Sequence, residues 1–124
     1  VASFTFDPQP GGGYASMMGV RPEAFAEAAI AAGAHVVGSN CGLGPDHMVA
    51  IVAAIKRAAG AVPVLAMPNA GMPVIENGRT VFKETPAAMA ATMRAMIEAG
   101  AAVIGGCCGT TPAHIAAFRA LLDA

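Results

Sequence analysis

Charge is scarce in this chain. Only 12% of its 124 residues are charged, the formal net charge is −1, and the 7 Lys and Arg residues form no basic run. That scarcity argues against nucleic acid and anionic membrane as partners, since both are gripped chiefly by clustered Lys and Arg. Long apolar runs are missing too. Gly, Pro or a charged residue interrupts each one before it reaches the roughly 20 residues of a membrane span, and no signal-peptide pattern opens the chain. Cysteine is reduced to 3 residues. An odd number cannot pair fully within one chain, so the expectation is a reducing cytoplasm with thiols kept for chemistry, not a disulfide framework. The sequence opens on Val1 rather than Met, as expected of a stretch from inside a longer protein.

What remains is apolar and periodic. Hydrophobic residues make up 56% of the chain, ample for a core and unlike a disordered segment. The length fits one ordinary domain or less. Ala-Gly-Ala recurs at 32–34, 59–61 and 99–101, each time between an Ala-rich stretch and a short apolar run. Glycine is the usual residue just past a helix end, and brief Val, Ile and Ala runs suit buried parallel strands. Helices are predicted over Pro22–Ala32, Pro45–Ala59, Pro86–Ala99 and Pro112–Leu122. Each opens on a proline suited to a first turn, and Thr85 and Thr111 are placed as N-caps. Strands are predicted over Val1–Phe6, His35–Gly38, Val62–Ala66 and Ala102–Ile104. Between the third strand and third helix, Asn77-Gly78 divides two short apolar runs in Pro73–Phe82, a hairpin signal.

The fold class is therefore α/β, with four βα units and a parallel sheet joined by right-handed crossovers. Such a set could be a small open sheet or half of an eight-stranded barrel, which usually takes about 250 residues. A half-barrel leaves its inner face and both edges bare, and so calls for a missing half, a second copy or another partner. On either reading residues 1–124 form one unit, a single small domain or, as the resemblance below implies, a single partial domain.

Active sites of parallel α/β proteins gather at the carboxyl ends of strands. Here those ends read Thr5-Phe6-Asp7, Ser39 to Gly44, Met67 to Gly71 and Gly105 to Gly109, and every cysteine lies in one of them. Cys107 and Cys108 are adjacent, an odd choice in a strand, where neighbours point to opposite faces. Gly105, Gly106 and Gly109 would let the backbone turn both sulfurs one way. Two readings stand side by side: three thiolates holding zinc with a fourth position open, or small buried thiols that only pack. His35, His47 and His114 read as surface or capping residues. Asn69 reads either as a turn residue or as one that orients a ligand or weakly occupies a metal position. Asp7 reads as turn-forming, the methionines as core filler, and Gly11-Gly12-Gly13 as a flexible loop without a phosphate-binding fingerprint.

SNCGLGP around Cys41 and GGCCGTTPAHI around Cys107 and Cys108 resemble the two zinc-cysteine motifs of the homocysteine S-methyltransferase family. MPNAG around Asn69 and TFDP at the first strand end are similar to that family's intervening segments. Within the family the likeness leans toward the homocysteine-binding barrel of cobalamin-dependent members. The resemblance covers nearly the whole chain and implies strands five to eight of a (β/α)8 TIM barrel. It implies Cys41, Cys107 and Cys108 as zinc ligands, Asn69 as a substrate-binding residue near the zinc, and methyl transfer to homocysteine giving methionine. No side chain is assigned a further catalytic role. The implied partners are homocysteine and a methyl donor or corrinoid protein, with methylcobalamin, betaine and S-methylmethionine as donors among relatives. The family's acidic residues that hold the substrate amino group lie on earlier strands, with no counterpart here. A non-catalytic zinc-binding half-barrel needing a partner chain is the alternative, and a redox thiol protein using Cys107 and Cys108 a weaker third.

Overall fold

The computed structural model describes residues 1–124. Its centre is a four-stranded parallel sheet built from β1 (Ala2–Phe4), β4 (Val37–Cys41), β5 (Val64–Pro68) and β8 (Ala101–Ile104), hydrogen-bonded in that order. Four helices, α1 (Pro22–Ala31), α2 (Pro45–Ala59), α3 (Pro86–Ala99) and α4 (Pro112–Asp123), follow the four strands in turn. The chain is thus an α/β unit with the construction of a partial βα barrel. No helix is long and apolar enough to cross a membrane.

The register explains which face holds the core. Ala2, Val37, Val64 and Ala101 form one row across the sheet. The last three are buried and share a cluster with Phe25 of α1, Ile51 and Ile55 of α2, Met89, Met93 and Met96 of α3, and Phe118 of α4. The helices therefore cover a single face. The next row, Ser3, Gly38 and Leu65, points the other way by the strand's alternation, and a register shift in β8 after Ala101 sets Val103 beside Leu65 in that row. There Ser3 is exposed and Val103 is 43% exposed, so this face meets water. Gly38 is required in that row, because a Cβ on it would collide with the carbonyl of Leu65. β1 and β8 are both edge strands.

Every helix carries its proline in the first turn, where the missing N–H has no helical partner to lose. Thr85 caps α3 by accepting from the Ala88 N–H at 3.2 Å. Helix limits agree with the sequence reading to within a residue. Three strands sit differently. The first ladder closes at Phe4 instead of Phe6. The second and third begin at Val37 and Val64, two residues later than expected, because the chain is still turning out of each helix: Val62 donates to the Ala59 carbonyl at 3.1 Å. The second also runs three residues past its expected end at Gly38, so that Cys41 is the last residue of β4.

Two short antiparallel pairs decorate the carboxyl-end loops. β2 (Asp7–Pro8) pairs with β3 (Tyr14–Ala15), so Asp7 faces Ala15 and the triglycine turn is closed by Gln9 N–H to Gly13 carbonyl at 2.9 Å. β6 (Pro73–Glu76) and β7 (Arg79–Phe82) form the expected hairpin. Asn77 and Gly78 turn it with φ of 52° and 75°, as a two-residue turn of this hand demands.

Candidate metal centre

Three thiols meet where β4, β5 and β8 end. Their Sγ atoms all lie within 4.8 Å of one another, with Cys41 and Cys107 half-buried and Cys108 exposed. Cys41 reaches this place through a left-handed backbone, φ 59°, followed by Gly42 at 77°. That break in extended geometry swings its side chain off the alternation of the strand.

The cysteine doublet is woven onto the end of β5. Gly105 donates to the Ala66 carbonyl at 3.0 Å, Cys107 to Pro68 at 2.9 Å, and Ala70 donates back to Cys108 at 2.9 Å. The Thr110 hydroxyl closes the turn on the Cys107 carbonyl at 2.7 Å. Two glycines are needed for the chain to run so tightly. A Cβ on Gly106 would press into the Thr110 side chain, and one on Gly109, which has φ 79°, would overlap the ring of Phe82 at the base of the hairpin. With β geometry abandoned after Ile104, both adjacent sulfurs face the same side.

Asn69 joins the two thiol loops. It is only 8% exposed. Its Nδ2 donates to the Gly42 carbonyl at 2.9 Å, and its Oδ1 accepts from the Cys108 N–H at 3.0 Å. Both ends of the amide are therefore engaged with backbone beside a cysteine. This geometry ties the two loops together, a role that the sequence reading did not include.

The histidines stay outside the cluster. His35 is exposed, and His47 Nδ1 lies 3.0 Å from the Tyr14 hydroxyl. His114 is buried with both ring nitrogens occupied. Nε2 faces the Glu84 carbonyl at 2.8 Å, which can only accept, so Nε2 carries the proton. Nδ1 then accepts from the Thr111 N–H at 3.1 Å and its hydroxyl at 2.9 Å. His114 thus caps α4 and clamps the exit of the hairpin.

The thiols perturb one another. Cys41 and Cys107 sulfurs are 2.7 Å apart. The hydrogen bond to Cys107 is the main reason that the Cys41 thiol is pushed up to about 11, with burial adding to it. For Cys107 burial acts upward, but hydrogen bonds from Cys41 and Cys108 outweigh it and hold the thiol below its ordinary value. With the Cys41 thiol held up and the Cys107 thiol held down, the proton between the two sulfurs belongs on Cys41. Placing a cation here would replace that proton. With Zn–S bonds of about 2.3 Å, tetrahedral sulfurs stand about 3.8 Å apart, so the pair would open by roughly an ångström. Three sulfur donors within this reach, one of them exposed, fit a zinc ion that keeps one position free.

A sequence profile of the family described as homocysteine S-methyltransferase matches residues 1–122. The chain belongs to that family. Among curated proteins of the family, it is 40% identical over 84 residues to a methionine synthase of Mycobacterium tuberculosis (strain ATCC 25618 / H37Rv). It is 39% identical over 84 residues to a methionine synthase of Mycobacterium leprae (strain TN). Each match covers 67% of this chain and 7% of the relative, so the chain spans a small part of the proteins it resembles.

Two parts of the site escaped the sequence reading. One is the His114 clamp. The other is Asn40, whose Nδ2 donates to the Cys41 sulfur at 3.4 Å. Its only signal was an amide immediately before a cysteine at a strand end, and strand alternation assigns those two side chains to opposite faces.

Proposed function

We propose that this chain is the zinc-bearing part of a homocysteine S-methyltransferase, transferring a methyl group to the homocysteine thiol to give methionine. What carries the reading is the convergence of Cys41, Cys107 and Cys108 on one point from two loops that Asn69 ties together. When bound, zinc supplies Lewis acidity that lets a substrate thiol, with an ordinary pKa of about 8.5, act as a thiolate at neutral pH.

The remaining contributions come from the chain's own residues. Cys41, Cys107 and Cys108 are the proposed ligands, and the exposure of Cys108 leaves an approach to the open position. Asn69 ties the loops together, so an arriving ion has chiefly to part the Cys41 and Cys107 sulfurs. At the hairpin base the Phe82 ring lies against Gly109 and leaves no room for a side chain there, which holds the turn after the doublet in place. The substrate thiolate then displaces a methyl group in line, the new S–C bond forming as the donor departs with the electron pair of the old one. A corrinoid-bearing partner supplies that methyl group in this reading, which rests on the family likeness.

The water-exposed sheet face favours a second reading, a non-catalytic zinc-binding half-barrel that needs a partner chain to cover it but moves no methyl group. One experiment addresses both. The reduced chain is expected to hold about one zinc, lost in Cys107→Ser. It should convert homocysteine to methionine with methylcobalamin only when a complementary barrel half is added. Failure to hold zinc under reducing conditions refutes the proposal. Zinc binding without methyl transfer under either condition supports the second reading.

A further inference from the structure

Asn40 stands in a chain of three polar groups that ends on a proposed ligand. The Ser3 hydroxyl of β1 donates to Asn40 Oδ1 at 2.6 Å, and Asn40 Nδ2 donates to Cys41 Sγ at 3.4 Å. The Thr5 hydroxyl holds the Asn40 main-chain carbonyl at 3.1 Å. β1 and the residue that follows it thus fix both the side chain and the backbone of Asn40. A thiolate can only accept hydrogen bonds, so it takes the N–H end of the amide, which leaves Oδ1 to accept from the Ser3 hydroxyl. Cys41 is the one sulfur of the three on which a side-chain amide donates.

We infer that Asn40 is a positioning residue that ties up a lone pair of Cys41 and makes this sulfur a poor nucleophile while it is a metal ligand. This rests on the zinc reading above. A site that presents several thiolates to a methyl donor must favour the substrate's sulfur over its own ligands. A hydrogen bond to a charged sulfur lowers its electron density, and the sulfur must give that bond up before it can form S–CH3. Ser3 acts one step further out, holding the amide so that its N–H rather than its oxygen meets the sulfur.

The test uses the zinc-loaded full chain and methyl iodide, whose iodide leaves with the C–I electron pair as S–CH3 forms. Peptide mass spectrometry reads the ratio of methylated Cys41 to methylated Cys108 in the same molecules, and a chromophoric chelator reads bound zinc. Asn40→Leu and the near-isosteric Asn40→Asp both lack the donor and should raise the ratio about tenfold, the effect of one charge-assisted hydrogen bond on a barrier. Ser3→Ala should raise it by a smaller factor. A purely structural Asn40 would leave Asn40→Asp at the parent ratio. An unchanged ratio in Asn40→Asp and Ser3→Ala, with zinc retained, overturns this inference and leaves the proposed function standing. Absence of zinc from the parent overturns both. Should Asn40→Leu fail to fold, Ser3→Ala and Asn40→Asp decide the matter alone.

Discussion

Replacing Asn69 by alanine removes a side chain that is hydrogen-bonded to the backbone of both thiol loops. Two hydrogen bonds go, to the Gly42 carbonyl and from the Cys108 N–H. Each contributes about 0.5–1.5 kcal/mol net, and a partly buried group left without a partner costs about 1–3 kcal/mol. Water reaching either group reduces the second figure, so the expected loss is about 2–4 kcal/mol, out of a total stability of about 5–15 kcal/mol for an ordinary domain. The cation should feel it as well. Outer residues that orient ligands typically change metal affinity by about 10–100-fold, and the same range is expected here. Urea denaturation measures the first quantity, and zinc competition against a chromophoric chelator the second. Asn69→Asp keeps an oxygen on the Cys108 N–H but sets another against the Gly42 carbonyl, so it should not rescue zinc binding. Parent-like zinc affinity in Asn69→Ala, combined with weakened homocysteine binding, would refute the reasoning and make Asn69 a substrate contact.

Two further outcomes are expected. In the metal-free protein, iodoacetamide at about pH 8 should label Cys107 well before Cys41, since only the thiolate reacts. Labelling of Cys41 should keep accelerating as the pH climbs toward its raised value of about 11, while Cys107, held below its ordinary value, levels off earlier; equal rates at pH 8 would contradict a proton held on Cys41. Ser39→Ala should leave stability unchanged or raise it by up to about 1 kcal/mol, because the Ser39 hydroxyl is fully buried without a hydrogen-bond partner and such a group costs desolvation energy. A loss greater than that in thermal or urea unfolding would reveal a partner for the hydroxyl.

The helices and hairpin were legible because their punctuation is local. Pro22, Pro45, Pro86 and Pro112 mark first turns, and Asn77-Gly78 marks a turn whatever surrounds it. Strand starts were less so. Ala-Gly-Ala marks where a helix stops, but the turn that follows uses further residues, and its length is set by how the chain reaches the sheet. The cysteines were legible as a group because strand ends of a parallel sheet share one rim. That Asn69 stands beside the thiols was legible from its place at a strand end, but its orientation was not. Its partners are backbone groups 27 and 39 positions away, and a carbonyl or N–H leaves no mark in the identity of its residue. Asn40 was hidden by the alternation rule, which a single positive φ at Cys41 sets aside.

That φ of 59° at Cys41 carries a thermodynamic implication for the centre as a whole. A residue with a Cβ pays about 1 kcal/mol or more to sit in the left-handed region, whereas glycine sits there freely. Judged by conformational energy alone, position 41 belongs to glycine, and the polypeptide tolerates a standing local penalty to keep sulfur there. The aim of that sulfur is consequently set during folding rather than when an ion is captured.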